Sequence, residues 1–317
     1  MSGFYFFNND RYPTAGITNQ IGYVIDHVFA LRNLILHEKN YLFLDTFFLD
    51  PTHRAPFSDM IDIAWIDSQH FFPYIRIIDI MDPRYPLLLR WKEDQEDFLL
   101  EGQEAKKWLL ERFRGHAIKE GISMIELEVP GRVEEIITLY VDDYKRSFQD
   151  IEYRKAIGVG MIGILQHGDF RSMWRDVPFC TTIPLPDLEK DLTGRVNIVH
   201  LRNESDIVLW NDNKDEGFID HESEKYKKII SEHLTKEDTT IILTGRREEN
   251  PVIEWMRQEG YQVILPRAYT PHLQLNAALD IQLAQKYGNH ILITSHFSSF
   301  SIWLTLRLTM KKILEVM

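Results

Sequence analysis

From Val196 onward the chain moves back and forth between two hydrophobic patterns. Short runs at 196–201, 239–244, 262–265 and 290–294 are apolar and β-branched, the pattern of strands buried on both faces. Between and after them, apolar residues recur at three- and four-residue spacing, which predicts helices over 222–233, 251–259, 272–287 and 298–315. Strand and helix in strict turn imply a parallel, doubly wound α/β sheet. The first half opens in a similar way. Phe4 to Phe7 predicts a strand, Tyr23 to His37 a helix with Val24, Val28, Leu31 and Ile35 on one stripe, and Tyr41 to Asp45 a second strand. Further on, strands are predicted at 75–80 and 124–129. Helices are predicted at 93–116, carrying Leu99, Ala105, Leu109 and Phe113, and at 134–148. The stretch 45–72, rich in aromatic residues, Asp and Pro, has no sustained period and reads as irregular surface, a candidate acceptor cleft. Pro178, Pro184, Pro186 and Gly194 break the chain between 177 and 194 and mark a linker. The division is therefore an N-terminal α/β domain over 1–185 and a C-terminal Rossmann-like domain over 186–317, whose last helix is able to return to the first.

Polar residues at the ends of the apolar strands narrow the search for a site. His200 and Arg202 close the 196–201 strand, and Asp206 follows in the loop. An arginine fork at such a strand end suits a pyrophosphate, since it is planar, always charged and binds two oxygens at once. Ligands of open α/β sheets collect at the carboxyl ends of the strands. Thr244 ends the next strand. The last strand runs into Thr294-Ser-His-Phe-Ser-Ser-Phe-Ser301, where Ser295, Ser298, Ser299 and Phe300 open a helix whose free N–H groups attract anions. In the first half, the turn over 14–22 precedes a helix that carries Asp26 and His27 in its first turns. Gly158-Val-Gly-Met-Ile-Gly163 formally matches a dinucleotide fingerprint, with His167 nearby, but a charged stretch stands where the fingerprint needs a strand.

Composition sharpens the picture. A formal charge of -12, with acidic residues spread along the chain, argues against a nucleic-acid partner but leaves room for local arginines to hold a small anion. One cysteine, Cys180, excludes an intrachain disulfide and reads as a small packing residue. No Cys and His cluster has metal-ligand spacing. The start of the chain lacks the apolar core of a signal peptide, and no run of ~18 apolar residues predicts a membrane span, so the cytoplasm is the expected location.

Three segments together resemble a known family. His200-Leu-Arg-Asn-Glu-Ser-Asp206 resembles the H-x-R…D motif of fucosyltransferases that use GDP-fucose, with spacing nearest the protein O-fucosyltransferases. Gly16-Ile-Thr-Asn-Gln20 resembles their amino-terminal G-x-x-N-Q loop, and Ile293 to Ser301 resembles their late G-N-x-x-S-S-F segment. The resemblance implies a GT-B-like fold, two Rossmann-like domains facing each other across a cleft, and an inverting glycosyltransferase that needs no metal or other cofactor. It implies that Arg202 holds the β-phosphate of the nucleotide-sugar donor. His200 and Asp206 shape the nucleotide pocket, Thr244, Ser295, Ser298, Ser299 and Phe300 line it, and Asn19 and Gln20 face the sugar and the hydroxyl acceptor. Asp26 is the candidate general base. The chain departs from the family pattern at Asn203, Gly245, Thr294 and Ser295. Those departures leave three other readings: a rhamnosyltransferase of the same layout, a catalytically silent nucleotide-sugar-binding module, or, through Gly158 to Gly163, a Rossmann-type oxidoreductase.

Overall fold

A computed structural model describes residues 2–7, 16–34, 39–44, 46–68, 75–79, 88–93, 96–101, 103–104, 107, 124–128, 136–139, 172, 175–180, 183–202, 218–245, 250–266, 269–295 and 298–316. The chain divides into two compact units, Met1–Thr181 and Thr182–Met317.

In the first unit, β1 (Ser2–Phe7), α1 (Ile17–Leu34) and β2 (Lys39–Leu44) form the predicted β-α-β opening. Short pieces follow: β3 (Phe47–Phe48) pairs antiparallel with β4 (Arg54–Ala55), a 3-10 turn covers Phe57–Asp59, and α2 spans Ile63–Ser68. The predicted strand at 75 is β5 (Ile75–Asp79), and β1, β2 and β5 pair in parallel in that order. Ile17, Ile21, Val24, Ile25 and Val28 of α1 are buried, as are Leu42 and Leu44 of β2 and Ile77 of β5. A second, antiparallel sheet has the order β7-β6-β8-β9, from β6 (Leu88–Glu93), β7 (Glu96–Glu101), β8 (Met124–Glu128) and β9 (Ile136–Leu139).

That sheet corrects two expectations. The helix predicted from Glu93 begins instead as a hairpin: β6 and β7 pair from Leu88↔Glu101 to Glu93↔Glu96. Its acidic residues favour helix locally, but pairing with β6 overrides a preference of a few tenths of a kcal/mol per residue, ~0.7 at most. The helix predicted from 134 contains β9, where the β-branched Ile136-Ile-Thr138 run suits a pleated surface. Gln103, Glu104 and Lys107 of the first segment are helical, as predicted; its other residues beyond Glu101, the rest of the second segment, the 158–163 glycines and His167 lie outside the described residues.

The second unit carries the alternation almost as read. In chain order come β10 (Val196–His200), α3 (Phe218–His233), β11 (Thr239–Leu243), α4 (Pro251–Gln258), β12 (Gln262–Ile264), α5 (Leu273–Tyr287), β13 (Ile291–Ser295), α6 (Ser299–Arg307) and β14 (Lys312–Val316). The five strands form one parallel sheet, order β12-β11-β10-β13-β14. One expectation fails here. The helix predicted to 315 ends at Arg307, and the chain finishes as a strand on β13 in this unit's own sheet. The apolar residues of Lys312-Ile-Leu-Glu-Val316 serve a β ladder, which a helical count over the same residues does not distinguish.

Strand alternation sorts the sheet's two faces. Val199, Leu201, Ile242, Ile291 and Ile293 pack with Tyr226 and Ile230 of α3 and Val252, Ile253 and Met256 of α4. The opposite face meets the end of α5, where a Cβ at Gly288 would sit 2.7 Å from Ile198 Cγ1 and from the Ala284 carbonyl. At the amino-terminal edge of the sheet, Gly194 takes φ 60, and the Arg195 backbone N–H and Nε both donate to Asp238. Asn250 caps α4 through Val252 N (3.1 Å), with Pro251 as the first helical residue.

Candidate functional site at the switch of strand order

The sheet order makes the site. Two strands run outward from β10 on one side, and the chain then returns to place β13 on the other. In open α/β sheets the connections leaving such a pair of strands diverge, and ligands bind at the carboxyl ends of the pair. His200 is the last residue of β10 and Ser295 the last of β13. Leu201 continues the pairing, its N–H donating to the Leu243 carbonyl (2.9 Å), so Arg202 is the first residue released from the sheet.

Each of these strand ends is tied down. His200 is buried, its Nδ1 hydrogen-bonded to Ser301 Oγ at 2.8 Å, and its ring lies 4.9 Å from that of Phe300 at 43°. Burial, with the Arg202 charge second, pushes its pKa down to about 3, so the imidazole is neutral. His200 thus fixes the first turn of α6 against the end of β10. On the sheet's other face Tyr226 sits fully buried on α3. Its hydroxyl donates to the His200 carbonyl (3.0 Å) and accepts from the Arg202 N–H (3.1 Å). Burial raises the phenol's pKa, so it stays protonated and able to donate. Arg202 is half-buried, and its charge is felt by both His200 and Tyr226.

Ser298 occupies the cap position before α6 in extended conformation (φ -119, ψ 126), is buried, and makes no side-chain capping bond. Ser299 and Phe300, both half-buried, are the first helical residues. The buried hydroxyl of Thr294 has no hydrogen-bond partner among the described residues. A cation, a helix amino terminus and neighbouring hydroxyls at one end of the sheet form a set that can receive an anion. No protein-family model matches the chain, and no curated protein matches it.

The structure brings together six of the residues read from the sequence: His200, Arg202, Ser295, Ser298, Ser299 and Phe300. Thr244 is buried at the end of β11, the neighbouring strand. Asp206 lies outside the described residues. In the first unit Asn19 and Gln20 are not in a loop. The helix starts at Ile17, and both residues fall in its first turn, with the Asn19 and Gln20 N–H groups donating to the Gly16 carbonyl. Asn19 is half-buried. Gln20 is fully buried, and its carboxamide pairs with Phe48, donating to the carbonyl (3.0 Å) and accepting from the N–H (2.9 Å). That is the reciprocal pairing of a neighbouring strand, so Gln20 holds β3 to α1 rather than facing a sugar. Asp26 lies on α1.

Tyr226 and Ser301 were not legible as site residues. Tyr226 falls on the apolar stripe of α3 with Ile230, four residues apart, and an aromatic there reads as core. The only signal was its hydroxyl, which needs a partner once buried.

Proposed function

We propose that the chain is a metal-independent inverting glycosyltransferase of GT-B layout that transfers L-fucose from GDP-fucose to a glycan or other hydroxyl acceptor. The observation that supports this most is the position of Arg202. The arginine of the H-x-R motif leaves the sheet at its switch point, beside the strand that leads into α6. A nucleoside diphosphate matches that set, with its negative charge between the guanidinium and the α6 N–H groups.

In this reading the acceptor oxygen attacks the anomeric carbon from the face opposite GDP. The carbon–oxygen bond to the β-phosphate breaks with its electron pair going to GDP, and the acceptor proton passes to a carboxylate base. Arg202 offsets the charge that grows on the leaving phosphate, a preorganised electrostatic role. Phe300 lies beside the nucleotide, and His200 acts by holding α6 in place.

Thermal-shift titrations with GDP, UDP and ADP test the reading. A ligand that binds only the folded state stabilises it by about 2.7 kcal/mol at a hundred times its Kd. GDP should raise the melting temperature most, and Arg202→Ala should abolish both the shift and turnover while leaving the fold intact. No response to any of the three at millimolar concentration rules the transferase out. Ser295 and Gly245, which depart from the family pattern, favour a second reading, a binding module that takes a nucleotide sugar without transferring it. Nucleotide binding without hydrolysis or transfer from any GDP- or rhamnose-bearing donor would select it. Transfer from a rhamnose donor alone would make the chain a rhamnosyltransferase.

A further inference from the structure

We infer that Tyr226 is a positioning residue for diphosphate binding, setting the direction in which Arg202 leaves the sheet. The inference rests on the nucleotide-sugar reading above. One hydroxyl collects two backbone groups at the end of β10: it donates to the His200 carbonyl at 3.0 Å and accepts from the Arg202 N–H at 3.1 Å. A phenol has one proton to give and lone pairs to offer, so it serves both groups at once. The two partners lie two residues apart where the chain leaves β10. Tyr226 itself is anchored on α3 among Val199, Ile230, Ile242 and Ile293. The tie therefore fixes the backbone of Arg202 at the end of β10 from a rigid, fully buried base. Residue 202 is the first residue past the sheet pairing of β10, so this bond sets where its backbone starts and from which point its long side chain extends.

The test separates positioning from general stability. Tyr226→Phe removes one oxygen and nothing else. Affinities are measured by calorimetry for the diphosphate among GDP, UDP and ADP that binds the wild-type chain best, and for the matching monophosphate. The expected result is a loss of about tenfold for the diphosphate, the scale of one hydrogen bond's contribution, with monophosphate affinity unchanged. In an Arg202→Ala background the same change should cost no further diphosphate affinity, because the two residues act as one unit. Equal losses for both nucleotides, no loss for either, or losses that multiply in the double variant would overturn the inference while leaving the nucleotide reading standing. A wild-type chain that binds none of the nucleotides removes both. If Tyr226→Phe does not fold, amide exchange of the wild-type chain decides. The Arg202 N–H should exchange as slowly as the β10 core amides and slow further with diphosphate. Exchange at the rate of an exposed loop contradicts the tie.

Discussion

His200 is neutral because burial disfavours its charged form and the Arg202 guanidinium adds to that effect. Its folded pKa of about 3 lies below the unfolded value of 6.5, so the unfolded chain binds the extra proton between those pH values. Stability should rise with pH through that window, by at most about 1.4 kcal/mol per unit, and level off above it. His200→Asn keeps a polar atom near Ser301 Oγ but cannot titrate. Its urea midpoint should therefore be less steep in pH between 4 and 6.5 than that of wild type, and an unchanged slope would show that His200 is not the titrating group. Tyr226→Phe should lower stability by about 1–3 kcal/mol at every pH in that range, because it strands the buried His200 carbonyl and the part-buried Arg202 N–H. Denaturant titration reads that loss directly. The strand-end motif made His200 and Arg202 visible in the sequence. Tyr226 stayed hidden because a residue's packing follows a period, whereas its hydrogen-bond partners 24 and 26 residues away do not.

At the scale of elements, two close approaches fix how helices sit. Gly288 follows α5 where the helix end touches Ile198 of β10, and Gly288→Ala should destabilise by roughly 1–3 kcal/mol, as overpacking does. A melting temperature equal to wild type would mean the helix end can shift without strain. In the first unit, Gln20→Glu loses the donor that meets the Phe48 carbonyl and sets a carboxylate in a fully buried place. It should destabilise by about 2 kcal/mol or more, while Gln20 variants that still fold keep any nucleotide affinity of the second unit. Calorimetric unfolding and nucleotide titration of the same sample measure both. The strands and helices of the second half were legible because each is apolar, short and separated by polar turns. The helix at 93–116 failed where strong local helix formers are held in a hairpin by β6. The start of α1 was placed late because Gly22 looked like part of a turn, yet it lies buried within the helix.

For the molecule as a whole, a net charge of -12 makes Arg202 at the carboxyl end of the sheet a local exception, and the Tyr226 hydroxyl ties its backbone there. Parallel alternation was readable, but the order of strands was not, since it depends on which strands meet across long stretches of sequence. That order brings the strand ending at His200 beside the strand ending at Ser295, and no local pattern records it. No helix among the described residues is long and apolar enough to cross a membrane. The most direct check on the account is a crystal structure of the chain soaked with GDP. The diphosphate should lie at the carboxyl ends of β10 and β13, bridging the Arg202 guanidinium and the N–H groups of Ser299 and Phe300. A diphosphate bound elsewhere, or an Arg202 turned away onto a carboxylate, would contradict it.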